Sequence, residues 1–254
     1  MVYGSKIDVM KSGNSESIHA VAELELVRAK SAIEQFIYSC SHTMRGPLKS
    51  ISGLVYLLKN AENSKEVDRG YCLHSIEQTV EKLESVLNGL EQFLTTLSMD
   101  ITSQSIDVTE FIEDIISEFQ DTISENNIRI EVGVKQSVRL YTDRARFRAI
   151  LSHLISNAIV FQDSGKEAKQ ITISVKIDLT NCTVKVKDNG IGIPADIKSN
   201  IFQLFYRGSD KSRGAGVGLY VAKEALDKMG GTISFRSKPR VGSSFTFTIP
   251  NLSV

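Results

Sequence analysis

The chain has no excess charge of either sign: 30 Lys and Arg stand against 30 Asp and Glu over 254 residues. Nucleic-acid binding needs a basic surplus or stripe, so that class of partner is not expected. No stretch approaches the ~18 consecutive apolar residues of a membrane span, and the N-terminus lacks a signal-peptide pattern. Cysteine is scarce. Cys40, Cys72 and Cys182 lie far apart and form no CxxC pair, so neither a disulfide scaffold nor a zinc site is suggested. These absences predict a reduced, soluble, cytoplasmic protein with no membrane segment. What is present is a normal core-forming complement, 41% hydrophobic, enough for one large domain or two ordinary ones.

Residues 1–16 are polar and glycine-containing and read as a flexible lead-in. From Ser17 the apolar residues recur at threes and fours, through Val21, Leu24, Val27, Ile33, Phe36 and Ile37 to Leu58. Pro47 lies inside this run and predicts a kink rather than a stop. Asn60–Lys65 reads as a turn. Leu73, Ile76, Val80, Leu83, Leu87, Leu90 and Leu94 then alternate spacings of three and four, an a/d seam over three heptads. Two helices alone make a poor core; pairing two hairpins would bury both seams, which predicts a homodimer built on a four-helix bundle.

After residue 100 the pattern changes. Thr109 is a candidate cap for a helix carrying Phe111, Ile112, Ile115, Ile116 and Phe119. Strands are predicted at 128–134, 171–177, 183–186, 232–235 and 244–249, with helices near 143–160 and 216–229. This mixture predicts a two-layer α+β domain over 101–254, after a helical hairpin over 17–100.

Three segments suggest ligand chemistry. Asp188-Asn-Gly190-Ile-Gly192-Ile-Pro194 leaves a strand through a turn where backbone can approach a ligand and a carboxylate can accept from an amino group. Gly214-Ala-Gly216-Val-Gly218-Leu runs into a helix, where free N–H groups and the dipole favour phosphate. Asn157, on the predicted 143–160 helix, offers a hard amide oxygen suited to Mg²⁺. Each alone has a bland alternative: a strand-exit turn, a flexible loop, a surface amide.

In order, Ile155-Ser-Asn157-Ala-Ile159, DNGIGIP, Ile201-Phe-Gln-Leu-Phe205-Tyr-Arg207, GAGVGL and Gly242-Ser-Ser-Phe245-Thr-Phe-Thr-Ile-Pro250 resemble the N, first glycine, F and second glycine boxes and the closing strand of two-component sensor histidine kinases. Ser41-His42-Thr-Met-Arg45-Gly-Pro47-Leu48 resembles that family's phosphoacceptor box. The resemblance implies ATP in the C-terminal domain, with adenine read by Asp188 and the backbone at Gly190 and Gly192. Asn157 is implied as the Mg²⁺ ligand, and 203–216 as a lid bringing Lys211 and Arg213 to the triphosphate beside Gly214, Gly216 and Gly218. Arg207 is implied near the γ-phosphate. His42 is implied as the phosphoryl acceptor and a response-regulator receiver domain as the partner.

The chain departs from the pattern at four places. Thr43 replaces an acidic residue and cannot act as a base. Gly46 replaces the residue that positions water for phosphatase activity. His153 stands for a first Asn, and Val160 for a phosphate-facing Lys. These predict slow autophosphorylation, weak phosphatase activity and reduced metal affinity. They keep open a signalling adaptor that relays phosphate through His42 with weak or no kinase activity. A gyrase-like ATPase is opposed by the hairpin and by His153 where that class has a glutamate.

Overall fold

The computed structural model describes residues 5–60, 68–98, 100–208 and 216–252. The chain divides between Gly46 and Pro47 into two compact units. The first is wholly helical over its described residues, forming the start of α1 (Ser5–Asn60). That helix begins at Ser5 instead of near Ser17, where the polar composition suggested a lead-in. Residues 5–16 contain no proline, and Gly13 costs a helix only ~1 kcal/mol, too little to break it. Nor does the helix stop at Pro47.

The second unit opens with the rest of α1 and with α2 (Arg69–Ser98). Most of the turn expected at 60–65 lies outside the described residues. Asp68 starts α2, its carboxylate accepting from the Tyr71 N–H at 3.1 Å. α2 has two apolar faces. The heptad positions Leu73, Val80, Leu87 and Leu94 are 55, 40, 53 and 42% exposed, whereas Val86, Gly89 and Phe93 are buried. The buried face packs on α6 (Gly218–Lys228): the Phe93 and Tyr220 rings lie 5.7 Å apart, and a Cβ at Gly89 would come within 2.9 Å of Val217. Gly89 is therefore the contact point where helix backbone meets the α6 entry.

The five-stranded sheet runs β2-β4-β5-β7-β6, from β2 (Ile128–Gln136), β4 (Lys169–Ile177), β5 (Asn181–Asp188), β6 (Thr232–Lys238) and β7 (Gly242–Pro250). β2 and β4 are parallel, and the chain between them supplies the crossover that parallel pairing requires, through α5 (Arg144–Val160). The remaining pairs are antiparallel. Along β5, Cys182, Val184, Val186 and Asp188 point inward, while Lys185 and Lys187 are exposed. One face thus packs on helices and the other meets solvent, a two-layer α+β domain. α3 (Val108–Ser117) and α5 join this core through Phe111, Phe147 and Phe247, whose rings stack or meet edge-on.

Two local features differ from expectation. α3 is capped by Asp107, not Thr109: the Asp107 carboxylate accepts from the N–H groups of Thr109 and Glu110 at 3.1 and 3.2 Å. The strands β1 (Gln104–Ile106) and β3 (Leu140–Thr142) form a separate antiparallel ribbon. Asp143, at the end of β3, caps α5 and forms a buried pair with Arg146 at 2.6 Å. Among the described residues no helix is long and apolar enough to cross a membrane.

Candidate functional site

One end of the sheet, α5, the α6 entry and α2 enclose a cavity of about 700 Å³, within the usual range for small-molecule sites. Asn157, Asp188, Gly192, Gly216 and Gly218 all line it. Segments spread over sixty residues of sequence therefore converge on one space.

Strand parity positions Asp188. It ends the inward-facing row of β5, so its side chain turns into the space between sheet and helices. Its Oδ1 accepts from the N–H groups of Gly190 at 2.8 Å and Ser243 at 3.1 Å. Burial raises its pKa above the ordinary carboxylate value; those two N–H groups and the nearby Lys166 charge oppose the rise without cancelling it. The following turn needs glycine at 192, where φ is +69° and a Cβ would lie 2.1 Å from the Lys238 carbonyl oxygen.

Asn157 and His153 lie one turn apart on α5 and both line the cavity. The Asn157 amide makes no hydrogen bond among the described residues. A hard oxygen with no protein partner suits Mg²⁺, which binds through one or two protein ligands and otherwise through waters and phosphates. His153 fits that ion poorly. Its Nε2 is sealed from solvent without a partner among the described residues, and a Cβ at Gly218 would stand 2.8 Å from its Nδ1. The imidazole thus occupies space that only glycine at 218 leaves open.

Burial lowers the His153 pKa from 6.5 to about 4, keeping the ring neutral at physiological pH. The unfolded chain then binds the extra proton between pH 6.5 and about 4, so this stability is present above 6.5 and is lost as pH falls through that window. The loss amounts to about 3 kcal/mol. His153→Asn should remove it: denaturant titrations at pH 7 and near pH 4 should show a smaller acid loss in the variant. Equal losses would show that His153 does not titrate this way.

The other expected site residues fall into four groups. Gly216 and Gly218 lie beside Tyr206 in the cavity lining, and Gly190 is in the turn that supports Asp188. Arg207 is exposed and outside the cavity lining, though its neighbours Tyr206 and Gly208 are within it. Lys211, Arg213 and Gly214 lie outside the described residues. His42 is exposed on α1 in the first unit, followed by a half-buried Thr43. A Cβ at Gly46 would meet nothing within 4 Å. Val160, exposed at the cavity, presents a methyl surface where the resemblance implies a lysine.

Sequence reasoning missed one wall. Glu81, Glu84 and Asn88 of α2 also line the cavity. Their signal was the second apolar face, Val86-x-x-Gly89-x-x-x-Phe93, which the stronger heptad seam concealed.

This α+β fold with its glycine-lined cavity defines a class. Residues 142–253 match the histidine kinase-, DNA gyrase B-, and HSP90-like ATPase family. Within that class the chain is similar to proteins of signal sensing and to histidine kinases. It is 38% identical over 122 residues to the aerobic respiration control sensor protein ArcB of Escherichia coli (strain K12), covering 46% of this chain and 15% of ArcB. It is 27% identical over 236 residues to the sensory/regulatory protein RpfC of Xanthomonas campestris pv. campestris, covering 89% of this chain and 32% of RpfC. The chain therefore spans under a third of the length of these relatives. Its fold is also that of the histidine kinase ThkA, solved in complex with the response regulator protein TrrA: TM-score 0.65, 22% identity, 85% of this chain and 61% of the other covered.

Proposed function

We propose that this chain is an ATP-dependent protein-histidine kinase that phosphorylates its own His42 and passes the group to an aspartate of a response-regulator receiver domain. The observation that carries this reading is the meeting of Asp188, Asn157 and the glycine boxes at one cavity in a domain of the ATPase family. The proposed organisation is a phosphoacceptor hairpin over 17–100 followed by the catalytic domain over 101–254, working in the cytoplasm.

In the proposed complex Asp188 accepts from the adenine amino group through Oδ2, since its Oδ1 is taken by Gly190 and Ser243. Asn157 holds Mg²⁺, whose contribution when bound is to neutralise phosphate charge. Lys211, Arg213 and the N–H groups from Gly214 to Gly218 receive the phosphates, and Arg207 stabilises charge near the γ-phosphate. The unprotonated His42 nitrogen attacks the γ-phosphorus. A nitrogen–phosphorus bond forms, the bond to the bridging oxygen breaks, and ADP leaves with that electron pair. Thr43 cannot take the ring proton, so the reaction should be slow. Gly46 gives no side chain to position water on the phosphorylated regulator. ThkA's complex with TrrA supports a regulator as the partner.

Incubation with γ-labelled ATP and Mg²⁺ tests the reading: acid-labile, alkali-stable label is expected on the protein. Nucleotide binding without label would instead favour the phosphate-relay adaptor, which Thr43, Gly46, the half-buried His153 and the apolar Val160 support.

We also propose that two copies pair through the α2 seam. Leu73, Val80, Leu87 and Leu94 recur every seven residues and are exposed, the arrangement that a facing helix would cover. Val80→Glu combined with Leu87→Glu should convert a dimer to a monomer in sedimentation velocity. A variant that sediments as the wild type does would reject this interface.

A further inference from the structure

Asp188 is held by two peptide groups, and each is itself held at its far end. The Asn189–Gly190 peptide donates to Asp188 through the Gly190 N–H, while its carbonyl accepts from Lys166 Nζ. The Gly242–Ser243 peptide donates through the Ser243 N–H, and its carbonyl accepts from the Ser237 hydroxyl at 3.0 Å. A peptide unit is planar, with N–H and C=O pointing in opposite directions, so fixing the oxygen aims the N–H. Hydrogen bonding at the oxygen also polarises the unit and strengthens its N–H as a donor.

Both supports are themselves placed. An Asx turn sets Lys166: the Asp163 side chain accepts from the Gly165 N–H at 3.0 Å, and the Asp163 carbonyl from the Lys166 N–H at 3.1 Å. From there the ammonium reaches a second carbonyl, Val241, at 3.2 Å, tying the exit of β5 to the β6–β7 turn. Ser237 accepts from the Ile193 N–H at 2.7 Å and lies 3.0 Å from the Ser243 hydroxyl. With its one proton on the Gly242 carbonyl, Ser237 accepts from Ser243. Every polar atom around Asp188 Oδ1 thus has an assigned direction.

We propose that Lys166 and Ser237 are positioning residues for purine recognition, fixing the carboxylate of Asp188 so that its second oxygen meets a 6-amino group. This rests on the reading of Asp188 as the adenine acceptor. A cation that merely closed a surface loop would affect all nucleotides alike; a positioning residue affects the preference for the amino group.

The test titrates the whole chain calorimetrically with ATP and with purine riboside triphosphate, which lacks the 6-amino group. Wild type should prefer ATP. Lys166→Met should weaken ATP binding by about tenfold, the scale of one hydrogen bond, and leave the analogue nearly unchanged. Ser237→Ala should act in the same direction, and Lys166→Arg, which keeps charge and donors, should restore the preference. Equal weakening of both nucleotides in Lys166→Met, or no change in either, would overturn the positioning role while wild type still preferred ATP. A wild type that binds both equally would overturn the Asp188 reading itself, and the positioning role with it.

Discussion

His42→Ala is expected to reduce protein-bound label from γ-labelled ATP to background while leaving nucleotide affinity unchanged. The proposed acceptor is a ring nitrogen, and alanine offers no nucleophile in its place. The substitution should not disturb the fold, because His42 is exposed and alanine has the highest helix propensity. The bond type adds a second criterion. A phosphorylated imidazole nitrogen loses its label in acid and keeps it in alkali, a phosphoserine survives acid, and an acyl phosphate on a carboxylate is lost in alkali. Acid-labile, alkali-stable label confined to wild type is the expected pattern. Label persisting on His42→Ala would place the acceptor elsewhere, and loss of nucleotide affinity in that variant would point to a folding defect instead.

Much of the domain was legible because its signals are periodic. Alternation predicts a strand at 183–186, and in the structure it extends through Cys182, Val184, Val186 and Asp188, which turns the final carboxylate inward. The glycine boxes were legible by order and spacing, and the cavity brings Gly192, Gly216 and Gly218 together with Asn157. What escaped notice depends on tertiary partners. Val86, Gly89 and Phe93 carry no period of their own strong enough to rival the leucine seam beside them. Strands of three residues, such as β1 and β3, are too short for alternation to register. Asp107 and Thr109 are both capping types, and choosing between them requires knowing that buried Val108 already belongs to the helix. Lys166 and Ser237 are the extreme case: they act on carbonyls of residues 189, 241 and 242, to which nothing in their local sequence refers.

Asp188→Asn should cost far more affinity for ATP than its single-atom change suggests. The asparagine oxygen can still accept from Gly190 and Ser243, so the turn and the sheet should stay intact. That choice places the amide nitrogen where Oδ2 stood, and a donor then faces the donor on the adenine. The variant loses a charge-assisted bond, worth about 1.5–3 kcal/mol, and leaves a buried donor opposed, at a cost of about 1–3 kcal/mol, so affinity should fall by about a hundredfold or more. Turning the amide over to satisfy the nucleotide would set its nitrogen against two backbone N–H groups, which is no better. Purine riboside triphosphate should be nearly indifferent to the substitution, having no amino group to lose. Calorimetric titration of both nucleotides, with thermal melting to confirm an unchanged fold, reads the result directly. An Asp188→Asn protein that binds ATP as wild type does would show that the carboxylate does not contact the base, whatever else occupies the cavity.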